Sequence, residues 1–402
     1  MDNRIIIIGQ GYTGRLSIVR SVAALGSEIT LIALMPKYEF CAKKRIKPVD
    51  AYSKYVSRMF YAVNYDEAML MDILLNKCAD PLHKAFVFPD NDFSAAAIDN
   101  NRDSLKEFYF LPSIQERQGA VEFWMDKVRQ KMLAERVGLK VADYATIEVK
   151  DRAFEIPDSI NYPCFAKPML SISGGKSGLR KCDSKEELRH HIEMVSSNRP
   201  NVRILVEEYI RIDKEYATLG FSDGEEVVIP GVLELLHIAH GNHYGVCMQG
   251  KAYSIDGYED TIAKFKAIVK EIGFVGIFDF DFFESDRMLY FCELNLRFGG
   301  SGYVFTKLGV NLPIMMIKYF SGESIDGMKT SIDSSATFFN ERMAIDDWYA
   351  GYISRKELLT FRASSDVLFV KDEKDPGPAR ALGRQLCLMM IKKTIKSWLR
   401  KK

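Results

Sequence analysis

The first hundred residues alternate short apolar runs with amphipathic stretches. Arg4–Ile8 is a β-branched run that ends in Gly9, and Thr13–Leu25 then carries apolar residues at helical spacing, with Gly26 just past its end. Glu28–Leu34 reads as the next strand, stopped by Pro36. A basic loop follows, Lys43-Lys44-Arg45 with Lys47. Asp66–Cys78 then reads as a helix and Ala85–Phe88 as a strand ending at Pro89-Asp90. Strands separated by helices predict βαβ units on a parallel sheet.

From Val121 to Val137 the pattern predicts one long amphipathic helix, closed by Gly138. The texture then changes. Tyr162–Lys167, Gly178–Cys182 and Val202–Glu207 read as short strands, and Ser184–Val195 as a helix capped by Ser184. Thr261–Ile272 is a helix ended by Gly273, followed by strands at Val275–Phe283 and Met288–Leu294 with Glu284–Arg287 as the turn between them. Beyond about Ser331 neither pattern holds. Asp375-Pro-Gly-Pro378 reads as a loop, and Arg384–Lys402 as an amphipathic helix whose polar positions are basic: Lys392, Lys393, Lys396, Arg400, Lys401 and Lys402.

Composition narrows the class. The chain has 402 residues, 47% of them hydrophobic, enough for two or three domains with real cores. A charged fraction of 27% excludes wholesale disorder, and a net charge of +1 leaves no global field to hold nucleic acid. The opening Met1–Ile8 is interrupted by Gly9 too soon for a signal peptide, and no apolar window is long enough to span a membrane. Seven scattered cysteines without a CxxC pair read as reduced thiols. A soluble, cytoplasmic protein is expected.

Four motifs carry candidate chemistry. Gly9-Gln-Gly11-Tyr-Thr-Gly14 follows a strand and opens a helix, as a dinucleotide fingerprint does. The second strand, Leu31–Pro36, lacks the acid that would hold a ribose, so a tight turn with close helix–sheet packing explains the glycines as well as NAD does. Lys167-Pro-Met-Leu-Ser-Ile-Ser173-Gly174-Gly175-Lys176-Ser177-Gly178 joins two strands. It is either a flexible hairpin loop or a phosphate cradle of backbone amides, hydroxyls and a lysine charge. His237, His240 and His243 lie three apart in a glycine-containing stretch and read as a polar loop in preference to a zinc site.

The fourth motif is Glu293-Leu-Asn295-Leu-Arg297-Phe-Gly-Gly300. Alternation puts Glu293, Asn295 and Arg297 on one face of a strand and Leu294 and Leu296 on the other. Three polar groups together on an apolar strand are costly unless something charged meets them or the face is solvated. Carboxylate and amide oxygens suit Mg²⁺, and the arginine suits a phosphate or an oxyanion. On the partner strand Asp279 and Asp281 share a face, and a hairpin would bring one of them opposite Glu293.

In this order the elements resemble the ATP-grasp superfamily over about residues 1 to 325, most strongly at Glu293-x-Asn295-x-Arg297 preceded by Asp281. The Asp281-to-Glu293 spacing is similar to that in the biotin carboxylase and carbamoyl phosphate synthase branches. The resemblance implies a mixed α/β and α+β fold. A Rossmann-like N-terminal domain (1–118) precedes an ATP-grasp domain (119–330) with a mobile lid subdomain at about 140–212. A C-terminal extension (331–402) ends in the basic amphipathic helix. It further implies ATP and Mg²⁺ or Mn²⁺ as cofactors, with Asp281, Glu293 and Asn295 as metal ligands. Lys127, Lys167 and the Ser173, Gly174, Gly175 and Ser177 loop fall on the phosphates. Glu207, Glu208 and Ile210 fall at the adenine, Glu215 at the ribose, and Arg297 and Lys176 act in catalysis.

The loop has fewer glycines than that of biotin carboxylase, no bicarbonate or biotin positions are evident, and the chain is short for a carbamoyl phosphate synthase large subunit. The resemblance therefore favours a stand-alone carboxylate–amine ligase similar to D-aspartate ligases. Its expected reaction joins an amino acid or small acid to an amine through an acyl phosphate, releasing ADP and phosphate. The partners implied are small-molecule carboxylates and amines, with no nucleic acid. A homodimer and peripheral contact of the C-terminal helix with anionic membrane remain open. The competing reading is a nucleotide-binding protein of weak turnover, on the same fold, that works at a membrane surface or with a partner.

Overall fold

The computed structural model describes residues 3–41, 47–169, 178–240 and 246–399, the last eight of them (392–399) as backbone only. The Lys43–Arg45 loop, the Ser173, Gly174, Gly175, Lys176 and Ser177 stretch, His243 and Arg400–Lys402 lie outside the described residues. So do the side chains of Lys392, Lys393 and Lys396.

Three sheets organise the chain. The first is all parallel, with the strands Val56–Val63, Glu28–Met35, Arg4–Gly9, Ala85–Pro89 and Tyr109–Phe110 side by side in that order. Its central strands are buried along almost their whole length, which explains the near-continuous Ile and Leu runs. The Tyr12–Val22 helix follows the first strand, and its apolar side packs between this sheet and the third one.

The second sheet is a four-stranded antiparallel unit in the order Tyr144–Val149, Val202–Glu208, Cys164–Pro168, Arg180–Cys182. The Lys185–Asn198 helix packs on it through Leu188 and Ile192, and Ser184 caps that helix by accepting the Glu187 amide.

The third sheet has nine strands. Met288–Asn295, Phe274–Ser285, Lys214–Asp223, Val232–Ile238, Cys247–Tyr253, Ala336–Phe339 and Val367–Leu368 run across it in order, with two short strands paired at its side. Alternation decides its faces. Phe278, Phe280 and Phe282 pack with the Glu259–Ile272 helix, where the Phe265 and Phe280 rings stack at 4.2 Å. Ile277, Asp279 and Asp281 take the other face, toward the parallel sheet.

Two expectations fail locally. The helix expected over Val121–Val137 is two helices, Ala120–Trp124 and Lys127–Arg136. Asp126 breaks them: its carboxylate caps the Val128 and Arg129 amides and also accepts a bond from Arg203 at 3.1 Å, so its backbone is held extended. The Asp375–Pro378 loop is in fact the start of the Pro376–Leu399 helix, where proline at the first helical position needs no amide donor.

The segment beyond residue 331 is woven into the rest. Ala336–Phe339 pairs with Cys247–Tyr253 in the large sheet. Arg20, on the first helix and 8% exposed, donates to the Phe369 and Val370 carbonyls at 2.7 and 2.8 Å and pairs with the Asp375 carboxylate.

Candidate active site

The site lies where the antiparallel unit meets the large sheet, around the Phe274–Ser285 and Met288–Asn295 hairpin. Asp286 and Arg287 take positive φ values of 48° and 62° in its turn, and a register shift between Phe282 and Asp281 then sets Asp281 directly across from Glu293 and Asp279 across from Asn295. Leu294 and Leu296 point into the core, at 3% and 1% exposure, so Glu293, Asn295 and Arg297 face the other way.

The carboxylates are tied together by named partners. Asn295 Nδ2 donates to Asp281 Oδ2 at 3.1 Å. Arg297 binds Asp279 through Nη1 at 3.0 Å and Asp92 through Nε at 3.2 Å, which joins the hairpin to the end of the parallel sheet. Burial, and then the adjacent Asp281 charge, push Asp279 up to about 7 despite Arg297. Gly299 permits this approach, because a Cβ there would stand 2.6 Å from Asp279 Oδ2.

Three lysines reach the same region. Lys127, at the start of its helix, hydrogen-bonds Glu293 Oε2. Lys131, one turn on, and Lys167, from the Cys164–Pro168 strand, both pair with Glu207, each at 2.6 Å. All three members of this last group are nearly buried. Burial alone would raise Glu207, but the Lys167 and Lys131 charges outweigh it and hold the carboxyl at about 2. Two ammonium groups on one carboxylate leave an excess positive charge that suits a phosphate.

Lys131 was not singled out in the sequence, and neither was Gln130. The Gln130 side chain donates to the Leu294 carbonyl at 2.7 Å and accepts the Leu294 amide at 2.9 Å, clamping the lysine helix to the strand beside Glu293. Glu208 ends the Val202–Glu208 strand, and Ile210 lies on the link from it to the large sheet. Glu208 is exposed, and its amide bonds the Asp143 carbonyl. Glu215, on the strand that follows, is flanked by Phe283 and Leu235.

The Gly9–Gly14 turn meets Asp90. A Cβ on Gly9 would fall 1.4 Å from Asp90 Oδ1, so glycine is required for the carboxylate to lie on the turn. Burial pushes Asp90 up to about 7, against the pull of Arg15 and Arg297. Ser17 Oγ, on the helix after the turn, lies 3.4 Å from the Gly300 carbonyl, so turn and hairpin end are neighbours.

Asp281, Glu293 and Asn295 form an all-oxygen donor set of two carboxylates and an amide, which suits Mg²⁺ or Mn²⁺. Among the described residues no group of three His, Cys, Asp or Glu side chains closes into a metal cage. A hard ion held by one or two carboxylates, with substrate phosphates completing its coordination, needs no such cage.

The ATP-grasp domain family model matches residues 132–311, which span Lys167, Glu207, Asp281, Glu293 and Arg297. The chain carries an ATP-grasp domain. The formate-dependent phosphoribosylglycinamide formyltransferase of Wolinella succinogenes is 25% identical over 305 residues, covering 75% of this chain and 71% of that protein. Across the first five such curated relatives the share of the relative covered runs from 48% to 71%.

Solved ATP-grasp structures share the fold. The N5-carboxyaminoimidazole synthetase of Staphylococcus aureus superposes with a TM-score of 0.58 at 20% identity, over 83% of this chain and 81% of that one. The biotin carboxylase domain dimer of Hydrogenobacter thermophilus 2-oxoglutarate carboxylase, solved with MgADP and bicarbonate, gives 0.61 at 19% identity over 83% and 73%. Among the described residues no helix is long and apolar enough to cross a membrane.

Proposed function

We propose that the protein joins a small carboxylate, an amino acid or simple acid, to an amine through an acyl phosphate. The observation that carries this reading is Asp281 set across from Glu293 with Asn295 bonded to Asp281, beside buried lysines in excess of their carboxylate partner. A magnesium ion held by Asp281, Glu293 and Asn295 would supply neutralisation of the β- and γ-phosphate charge.

Lys167 and Lys127 bind ATP phosphates, each exchanging its present carboxylate partner for the nucleotide. The Glu208–Ile210 link receives the adenine and Glu215 the ribose, while the Glu207 carboxylate stays with Lys131. The substrate carboxylate oxygen attacks the γ-phosphorus and ADP leaves. Arg297, oriented by Asp92 and Asp279, meets the charge that develops on the transferred group. An amine then displaces phosphate from the acyl carbon. No nucleophilic side chain is needed for either step.

The test is phosphate release from Mg·ATP with a panel of amino acids and small carboxylic acids. Stimulation that requires both a carboxylate and an amine supports the reading, and ATP turnover indifferent to both overturns it.

A cytoplasmic location and a homodimer belong to the same proposal, the latter on the precedent of the dimeric biotin carboxylase domain. Peripheral contact with anionic lipid is the finer reading for the last helix. Leu388, Met390 and Ile391 are exposed on it, whereas Leu382, Leu386 and Met389 pack with Val49 and Ile345. Co-sedimentation of the full chain with phosphatidylserine vesicles tests it, and recovery in the supernatant at low salt argues against it.

A further inference from the structure

Two of the proposed metal donors have partners within the chain. Lys127 Nζ donates to Glu293 Oε2, the side chains being 9% and 24% exposed, and Asn295 Nδ2 donates to Asp281 Oδ2 at 3.1 Å. Between Lys127, Gln130, Glu293, Asn295 and Asp92 there remains a cavity of about 10 Å³. That is room for about one water molecule. Mg²⁺ keeps several of its waters when carboxylates bind it, so a hydrated ion and the Lys127 ammonium exclude each other at Glu293.

Local structure keeps the lysine in place. Lys127 is the first residue of the Lys127–Arg136 helix, where the backbone amides carry partial positive charge and a cation is disfavoured. The helix end is fixed, because Asp126 caps the Val128 and Arg129 amides and Gln130 bonds both the amide and the carbonyl of Leu294, next to Glu293. Only the lysine side chain is left to move. Asp92, the other carboxylate on the cavity, is held by Arg297, and Glu207 carries two lysines of its own. A divalent ion arriving alone would therefore displace a nearly buried ammonium that has no other carboxylate to itself, and an unpaired charge in so dry a place is destabilising. A nucleotide instead brings phosphate oxygens for Lys127 to bind, which frees Glu293 where the phosphate charge is to be neutralised.

We infer that Lys127 is the resident counter-ion of the metal site and selects the form in which metal is taken up, a role that rests on reading Asp281, Glu293 and Asn295 as metal ligands and Lys127 as a phosphate ligand. Glu293 is closed to a free divalent cation and opens when nucleotide phosphate draws the ammonium away. Metal and nucleotide are thereby coupled through one side chain, each raising the affinity of the other by the same factor.

The test uses Mn²⁺ as the probe and reads binding, not turnover, from the electron paramagnetic resonance of the ion left free. The full chain, Lys127→Met, Lys127→Arg and the double variant Lys127→Met with Glu293→Gln are titrated with Mn²⁺ alone and with Mn²⁺ plus the β,γ-imido analogue of ATP. Lys127→Met should bind Mn²⁺ alone about tenfold more tightly than the unsubstituted chain. Lys127→Arg should not, since a guanidinium still holds Glu293, and the double variant should lose the gain. With the analogue the order reverses, and Lys127→Met takes up less Mn²⁺ than the unsubstituted chain. Unchanged or weaker binding of Mn²⁺ alone by Lys127→Met overturns the inference, as does a gain that survives Glu293→Gln. So does an unsubstituted chain that binds Mn²⁺ alone as tightly as with the analogue, a comparison that needs no variant to fold. An unsubstituted chain that takes up no Mn²⁺ even with the analogue overturns the metal-site reading itself, which separates the two failures.

Discussion

Lys167 Nζ lies 2.6 Å from Glu207 Oε2, and Lys131 holds the other oxygen of the same carboxylate at the same distance. The group is nearly dry, so each charge depends on the others. Glu207→Gln would leave two ammonium groups facing each other without a counter-ion, and the expected cost is about 3–5 kcal/mol. The sign of its pH dependence follows from Glu207, whose folded value of about 2 lies below its ordinary 4.5. Its contribution, about 3 kcal/mol, is fully present above pH 4.5 and is lost as pH falls toward 2. Urea unfolding between pH 7 and pH 3 checks both statements: the unsubstituted chain should lose stability across the acid range more steeply than Glu207→Gln.

Gly9 and Asp90 are coupled by contact. Gly9→Ala would drive a methyl group onto the Asp90 carboxylate, for an expected loss of about 1–3 kcal/mol. Combining it with Asp90→Ala should recover part of that loss, because the displaced carboxylate is gone. A double-mutant cycle by thermal unfolding reads this as non-additivity. Additive losses would mean that the glycine is needed for the turn alone.

Arg297 makes its bonds to Asp279 and Asp92 through Nη1 and Nε, a planar arrangement that an ammonium cannot copy. Arg297→Lys should therefore keep ATP affinity within a few-fold and lower kcat by about 100-fold. Nucleotide titration and steady-state turnover on the same preparation separate the two.

Much of the hairpin was legible because strands have a period of two. Alternation fixed which of Glu293, Leu294, Asn295, Leu296 and Arg297 share a face, but not which aspartate meets Glu293: the turn is the two residues Asp286 and Arg287, and a register shift between Asp281 and Phe282, which no local pattern marks, sets Asp281 opposite Glu293. The Ser184 cap was legible for the same local reason. Gln130 and Lys131 were not. Their helix is polar almost throughout, and nothing in its spacing marks these two positions as buried at 4% and 1% exposure. The break at Asp126 depends on Arg203, which is distant in sequence, and the pairing of His240 with Asp347 crosses 107 residues. Such contacts are tertiary and leave no periodic trace.

The central claim is that the Asp281, Glu293 and Asn295 cluster drives phosphoryl transfer. Glu293→Gln keeps the side chain's size and half of its oxygen donors, and Glu293 is 24% exposed, so the fold should survive. The decisive measurement is carboxylate- and amine-stimulated phosphate release by Glu293→Gln at ordinary Mg²⁺, alongside its thermal unfolding. The account predicts an unfolding temperature near that of the unsubstituted chain and turnover lower by about 100-fold or more. Near-normal turnover in a folded Glu293→Gln protein would contradict it.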